Sequence, residues 1–259
     1  MNLCVLLKQV PDTETKIKIS ADKSAVEKQD IKWIVNPYDE YAIEEALKIK
    51  DRLKEGMVTV ITAGPDRAVE ALRTAVAMGA DHAIHVKLEP ESDDTYLVAK
   101  ALAAALTKEK PALVLTGKQA IDDDQAATFG YVAELMNIPS TSVVVKLEVS
   151  NDKESVMVHR EVEGGMKHVI EMRLPCIVAV NKGINTPRYA SLPGIMKAKK
   201  KEIKTYTLAD LGLSSETKRT IDSDYALPPE RKPGIKLTGD SATQVRSLVK
   251  KLREEAKVI

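Results

Sequence analysis

The sequence predicts an α/β fold: a mostly parallel, doubly wound sheet that also carries a β-hairpin and a C-terminal arm. Three observations lead there. Short apolar runs alternate with longer amphipathic stretches through the first 150 residues, the rhythm of βαβ units. The first strands are near-continuous aliphatic runs, as in Leu3–Leu7, which suits strands buried on both faces. Aromatics are only 3% of a chain that is 44% apolar, so its core must be built from Ala, Val, Ile and Leu.

The elements follow in order. Leu3–Leu7 reads as the first strand. Tyr38–Leu53 reads as a helix, with Ile43, Ala46, Leu47 and Leu53 on one stripe. Met57–Thr62 is a strand. Pro65–Met78 is a helix opened by Gly64-Pro65 and closed by Gly79. His82–Val86 is a strand, Asp94–Leu106 an Ala-rich helix, and Ala112–Thr116 a strand. Asp123–Met136 is expected to be helical, stopping before Pro139, and Ser142–Glu148 is extended. This order calls for right-handed crossovers and helices on both faces. Ligands of such sheets sit outside the carboxyl ends of the strands, where strand order reverses. Ser155–His159 and Lys167–Met172 flank Glu163-Gly164-Gly165, a hairpin signal, and Cys176–Val180 is a further buried strand. Residues 1–204 are read as the α/β domain. Residues 205–259 are read as an arm: polar, punctuated by Pro228, Pro229 and Pro233, ending in an amphipathic segment from Ala242 to Lys257. It has too little apolar content to fold alone and is expected to pack on something else.

Composition excludes several classes. The net charge of +1, from 39 basic and 38 acidic residues, calls for neither nucleic acid nor a membrane surface. No apolar run is long enough to span a bilayer. The start, MNLCVLLKQV, lacks a basic leader and reads as a strand, so the expected location is cytoplasmic, of bacterial type. Cys4 and Cys176 sit in apolar runs, without a C-x-x-C, and read as reduced core thiols. There is no G-x-G-x-x-G after the first strand, no P-loop and no G-x-S-x-G elbow. The histidines lack ligands at metal spacing, and no nucleophile–base pair stands out, so neither a metal site nor a catalytic residue is assigned.

Three motifs remain. The strand Leu113–Thr116 runs into Gly117-Lys118-Gln119-Ala120-Ile121-Asp122-Asp123-Asp124 and then into a helix. Free N–H groups at that helix start, around Gln125, Ala126, Ala127 and Thr128, can hold a phosphate. The three aspartates would repel an anion unless they cap the helix or accept ribose hydroxyls. A capped helix after a plain loop is the equally open alternative. Gly64-Pro65 and Asn36-Pro37-Tyr38-Asp39 are strand-to-helix junctions that either line the same pocket or are simple punctuation. The third motif, Asn185 to Lys201, is stiffened by Pro187 and Pro193-Gly194. It carries Arg188, Tyr189, Leu192, Ile195 and Met196 beside Lys197, Lys199, Lys200 and Lys201. An apolar tip next to cationic residues suits a docking loop, with the leucine filling a pocket and the lysines steering an acidic partner. A connecting loop with a solvated lysine run is the alternative.

Over nearly its whole length the chain resembles the β subunit of electron-transfer flavoproteins. The match is carried by Val5–Val10, Asn36–Asp39, Ala77–Asp81, Gly117–Asp124, Arg160–Gly165 and, most specifically, Pro187–Lys197. The resemblance implies a Rossmann-like fold of the adenine-nucleotide α-hydrolase type and a heterodimer with a larger α subunit that holds most of the FAD. It also implies a structural AMP in the β subunit, and an electron carrier rather than an enzyme. Electrons would come from flavin dehydrogenases such as acyl-CoA dehydrogenases and pass to a quinone oxidoreductase or similar acceptor. The family's AMP pocket maps onto Leu6, Asn36 to Asp39, Ala63 and Gly117 to Thr128. Its recognition loop maps onto Arg188 to Lys197, with Leu192 at the anchor position, and its arm packs on the α subunit. The chain departs from the pattern at Ala127-Thr128-Phe129, where Phe129 is bulky beside the phosphate cradle, and at Lys167. Gln9-Val10-Pro11-Asp12 and Asn36–Asp39 also resemble a branch that holds a second FAD in place of AMP and oxidises NADH, so two cofactor readings stand, AMP being favoured. A nucleotide-hydrolysing enzyme on the same scaffold, using Asp122–Asp124, is the reading from another class.

Overall fold

The structure, a computed structural model, describes residues 1–89, 91–92, 94–231 and 233–259. It divides into two compact units, Met1–Asp224 and Tyr225–Ile259.

The first unit is α/β. Among the described residues its strands are β1 (Asn2–Leu6), β2 (Gln9–Pro11), β3 (Trp33–Val35), β4 (Met57–Gly64), β5 (His82–Lys87), β6 (Leu113–Gly117), β7 (Ser140–Val149), β8 (Ser155–Glu161), β9 (Lys167–Arg173), β10 (Cys176–Val180) and β11 (Lys204–Tyr206). Its helices are α1 (Pro37–Leu53), α2 (Val69–Met78), α3 (Thr95–Glu109), α4 (Thr128–Met136) and α5 (Leu192–Lys200). Nine of the strands form one sheet in the order β11-β5-β4-β1-β6-β10-β7-β8-β9, and β2 and β3 pair separately. All pairs from β11 to β7 are parallel, whereas the β7-β8-β9 end is antiparallel. Strand order reverses between β1 and β6, where Leu6 lies opposite Thr116.

Both faces of the sheet are covered. Leu3, Val5, Val58, Val60, Leu113 and Leu115 pack under α1, α2 and α5. The alternate residues Cys4, Leu6, Ile61, Val114 and Ile177 pack under α3 and α4. The period-2 alternation of a strand thus serves two cores, and both are aliphatic. The two thiols are buried and unpaired, and burial pushes each up to about 12. They are inert packing groups.

Two sequence expectations are corrected. The helix placed at Asp123–Met136 begins only at Thr128, because Asp124 and Ala126 adopt left-handed backbone and break the helical path. The docking element read as a loop is partly helical, since Ser191 caps α5 by accepting from the Gly194 N–H. The second compact unit begins at Tyr225, and β11 adds to the sheet edge beside β5. Beyond it, Arg219 and Thr220 donate their backbone N–H groups to the buried Asp94 carboxylate, which also caps α3 at Leu97.

The second unit carries α6 (Ser241–Lys250), capped by Asp240, followed by a wide turn over Lys251–Glu255. Val245, Leu248 and Val249 of α6 are exposed.

Candidate nucleotide site and docking segment

The carboxyl ends of β1 and β6 lie side by side at the point where strand order reverses. The first turn of α1 packs against both exits. Asp39, only 3% exposed, accepts the Lys8 N–H at 2.7 Å with one oxygen and the Gly117 N–H at 2.8 Å with the other. One carboxylate therefore ties the exit of β1 to the exit of β6. Burial pushes Asp39 up to about 7, against the pull of those two N–H donors. A Cβ on Gly117 would lie 2.5 Å from Asp39 Oδ1 and 2.6 Å from Tyr38 Cβ, so only glycine lets α1 come this close.

Asn36 does the same for the following loop. Its Nδ2 donates to the Gln119 carbonyl at 2.9 Å, and its Oδ1 accepts from the Ile121 N–H at 3.2 Å. Asn36 is fully buried, so these bonds also satisfy its amide. The side chains of Asn36 and Asp39 are thus used to build the edge rather than to reach beyond it.

The aspartate run is engaged, and its charge partly offset, from within the chain. Lys8 Nζ donates to Asp122 Oδ1 and Asp123 Oδ2, each at 2.8 Å, and Gln119 Nε2 donates to Asp124 Oδ1 at 2.6 Å. Burial would lower the Lys8 ammonium, but Asp122 and Asp123 outweigh it and hold it above the usual lysine value. None of the three aspartates caps α4. That helix starts after Ala127 with no side-chain cap, which leaves the N–H groups of its first turn uncommitted to any side chain. Phe129 does not crowd this opening: it packs against the core beneath α3 and α4. Open space surrounds a Cβ built on Gly130. An uncapped helix start, with the neighbouring carboxylates tied to Lys8 and Gln119, offers N–H donors to a phosphate.

Leu6 and Ala63 end on the α3–α4 side of the sheet, Leu6 buried and Ala63 half-buried. Pro37 and Tyr38 are half-buried in the first turn of α1, and Lys118 Nζ lies 5.1 Å from the Tyr38 ring centre. Ala120 and Ile121 line the loop held by Asn36, while Gln125 and Ala126 lie exposed on the approach to Ala127 and Thr128. Leu6, Asn36 to Asp39, Ala63 and Gly117 to Thr128 are therefore gathered at one edge of the sheet. Lys8, which sequence reasoning did not single out, belongs with them. Its spacing from Asp122 gives no sign of this, because only the parallel pairing of β1 and β6 brings the two together.

The segment from Asn185 to Lys201, read from sequence as a docking element, lies elsewhere, against α1 and α2. Asn185 Nδ2 donates to the Tyr41 carbonyl at 3.0 Å and to Glu45 Oε2 at 2.9 Å. Arg188 donates to Glu44 from its backbone N–H, Nε and Nη2, at 3.1, 2.8 and 3.1 Å, and from Nη2 to Asp51 at 3.1 Å. Arg188 is thus committed within the chain and serves as an anchor. Tyr189 and Leu192 are 99% and 80% exposed, and Ile195, Met196, Pro193 and Lys197 are also exposed. Gly194 sits directly on α2, where a Cβ would fall 2.4 Å from the Ala77 carbonyl oxygen. At the other end of α5, Arg73 Nη1 donates to the carbonyl of Ala198 at 2.7 Å. Glu44, Glu45 and Arg73 were not legible in the sequence; two carboxylates inside a buried helical run look the same on paper as two on a solvated face.

Known proteins resemble the chain along its length. A family model described as "Electron transfer flavoprotein domain" matches residues 24–211. The electron transfer flavoprotein subunit beta of Bacillus subtilis (strain 168) is 41% identical, with 100% of both chains aligned. The mitochondrial subunit beta of Arabidopsis thaliana is 39% identical, again over 100% of both. The Mus musculus subunit beta is 37% identical over 98% of this chain and 97% of that one. With the family model and these full-length relatives in agreement, the chain belongs to the electron transfer flavoprotein family, as a subunit of the β type.

Proposed function

We propose that the chain is the small subunit of a heterodimeric electron-transfer flavoprotein that completes an FAD site with a larger α subunit and holds a structural AMP of its own. In this reading electrons arrive from flavin dehydrogenases, acyl-CoA dehydrogenases among them, and leave to a quinone oxidoreductase or similar acceptor. The redox chemistry is that of the bound FAD. The chain's own residues bind, orient and dock. The N–H groups at the start of α4 take the AMP phosphate, with Lys8 and Gln119 holding the neighbouring carboxylates away from it. Asn36, Asp39 and Gly117 fix the edge on which adenosine lies. The C-terminal unit, with its exposed apolar helix α6, packs on the α subunit.

The observation that carries this reading is the docking segment. Leu192 and Tyr189 stand exposed on an anchored base, beside Lys197, Lys199 and Lys200 at the C-terminal turn of α5. An exposed apolar tip ringed by cations serves fast, transient contact with an acidic partner better than it serves stability. Nucleotide hydrolysis draws no such support, since Asp122, Asp123 and Asp124 are each engaged by Lys8 or Gln119.

Leu192→Ala tests the reading. Electron transfer from the dehydrogenase should slow by about tenfold or more, the loss expected for a central apolar anchor. Assembly with the α subunit and flavin content should stay as in the unaltered protein. Loss of assembly would make the segment structural and the docking role wrong.

A further inference from the structure

The tip of the docking segment is not held by its own side chains. Tyr189 and Leu192 are almost entirely exposed, so burial cannot orient them. Residues 185–191 have no regular secondary structure before α5 begins. Orientation must come from the flanks. On the α5 side, Gly194 rests on the Ala77 carbonyl and Arg73 grips the last turn. On the other side Asp51 takes one bond from Arg188 and Asn185 is held by Tyr41 and Glu45, but the main grip nearest the tip is Glu44, which is 5% exposed and takes three hydrogen bonds from Arg188, one of them from its backbone.

A buried carboxylate is a poor way to gain stability. The cost of removing it from water offsets most of what the ion pair returns, and an apolar residue of like volume often serves as well or better. What a two-pronged guanidinium–carboxylate pair does supply is fixed geometry. Glu44 fixes both the Arg188 side chain and its main chain, one residue before the exposed Tyr189 and four before Leu192. We infer that Glu44 is a positioning residue for partner docking, acting through Arg188 to hold the 189–192 tip in its binding-competent arrangement. This rests on the docking role proposed above.

The test uses the complete heterodimer and a flavin dehydrogenase as electron donor. Glu44→Met keeps the volume and removes the charge. The KM for the dehydrogenase should rise about 3- to 10-fold, as when loss of charged hydrogen bonds shifts the segment among conformers. The loss should fall on KM rather than kcat, and assembly and flavin content should hold. In the double variant Glu44→Met with Leu192→Ala, KM should be no higher than with Leu192→Ala alone, because a tip without its anchor gains nothing from being aimed. If Glu44→Met fails to assemble, Arg188→Gln removes the same grip from the solvent side and must produce the same rise in KM. An unchanged KM in both, beside a raised KM for Leu192→Ala, overturns the positioning role alone. So do effects that multiply in the double variant. An unchanged KM for Leu192→Ala overturns the docking role and this inference together.

Discussion

A methyl group on Gly117 would lie 2.5 Å from Asp39 Oδ1 and 2.6 Å from Tyr38 Cβ, well inside van der Waals contact. Gly117→Ala should therefore push α1 off the β6 exit. A loss of roughly 1–3 kcal/mol of stability is expected from such overpacking, measurable by urea unfolding, together with loss of bound nucleotide. Asp39 answers to pH as well. Its folded value, raised to about 7 by burial, lies above the ordinary aspartate value of 3.8. Between those values the folded chain holds a proton that the unfolded chain releases. This contribution to stability is present in full below pH 4 and is lost as pH rises through 7. Asp39→Asn should flatten that dependence between about pH 4 and 7, while lowering stability overall by about 1–3 kcal/mol because an amide cannot accept from both Lys8 and Gly117. An unaltered slope would show that some other group titrates.

At the scale of elements, α3 and the stretch after β11 share one carboxylate. Asp94 caps α3 and receives the backbone N–H groups of Arg219 and Thr220. Asp94→Ala should cost about 1 kcal/mol for the lost cap alone and expose residues near 219–224 to limited proteolysis, with the α/β core left intact. Burial raises Asp94, but its N–H donors outweigh burial and hold it below the ordinary range. This tie is therefore present at neutral pH and is lost as pH falls through that depressed value. The elements that were legible in the sequence are those with a strong period or a plain stop signal. The strands from Leu3, Met57, His82 and Cys176 were found because continuous aliphatic runs have few other uses. The helix α4 was placed too early because Asp123 and Asp124 look like caps, whereas left-handed backbone at Asp124 and Ala126 delays its start and Lys8 and Gln119 take up the carboxylates. The three-residue strands β2, β3 and β11 carry too few residues to show any period. The edge that gathers Leu6, Asn36, Asp39 and Gly117 was legible as a set, whereas the inward roles of Asn36, Asp39 and Arg188 were not. Hydrogen-bond partners 78 to 144 residues away leave no local trace.

For the whole molecule, α1 holds two regions apart. Its first turn ties the β1 and β6 exits, proposed to carry the nucleotide, through Asn36 and Asp39, and Glu44, Glu45 and Asp51 further along hold the 185–192 segment proposed to dock. The near-neutral net charge gives no general steering field, so attraction for an acidic partner must be local to Lys197, Lys199 and Lys200. Raising salt from about 10 mM to about 150 mM shortens the reach of those charges from roughly 30 to 8 Å and should slow encounter with the dehydrogenase, read as a fall in kcat/KM. Substituting those lysines with glutamine should remove most of that salt dependence. The central claim is that this subunit carries its own structural nucleotide beside a shared flavin. Releasing and counting nucleotides from the purified heterodimer tests it most directly: one FAD and one AMP per heterodimer is the predicted result, and two FAD, or no flavin at all, would contradict it.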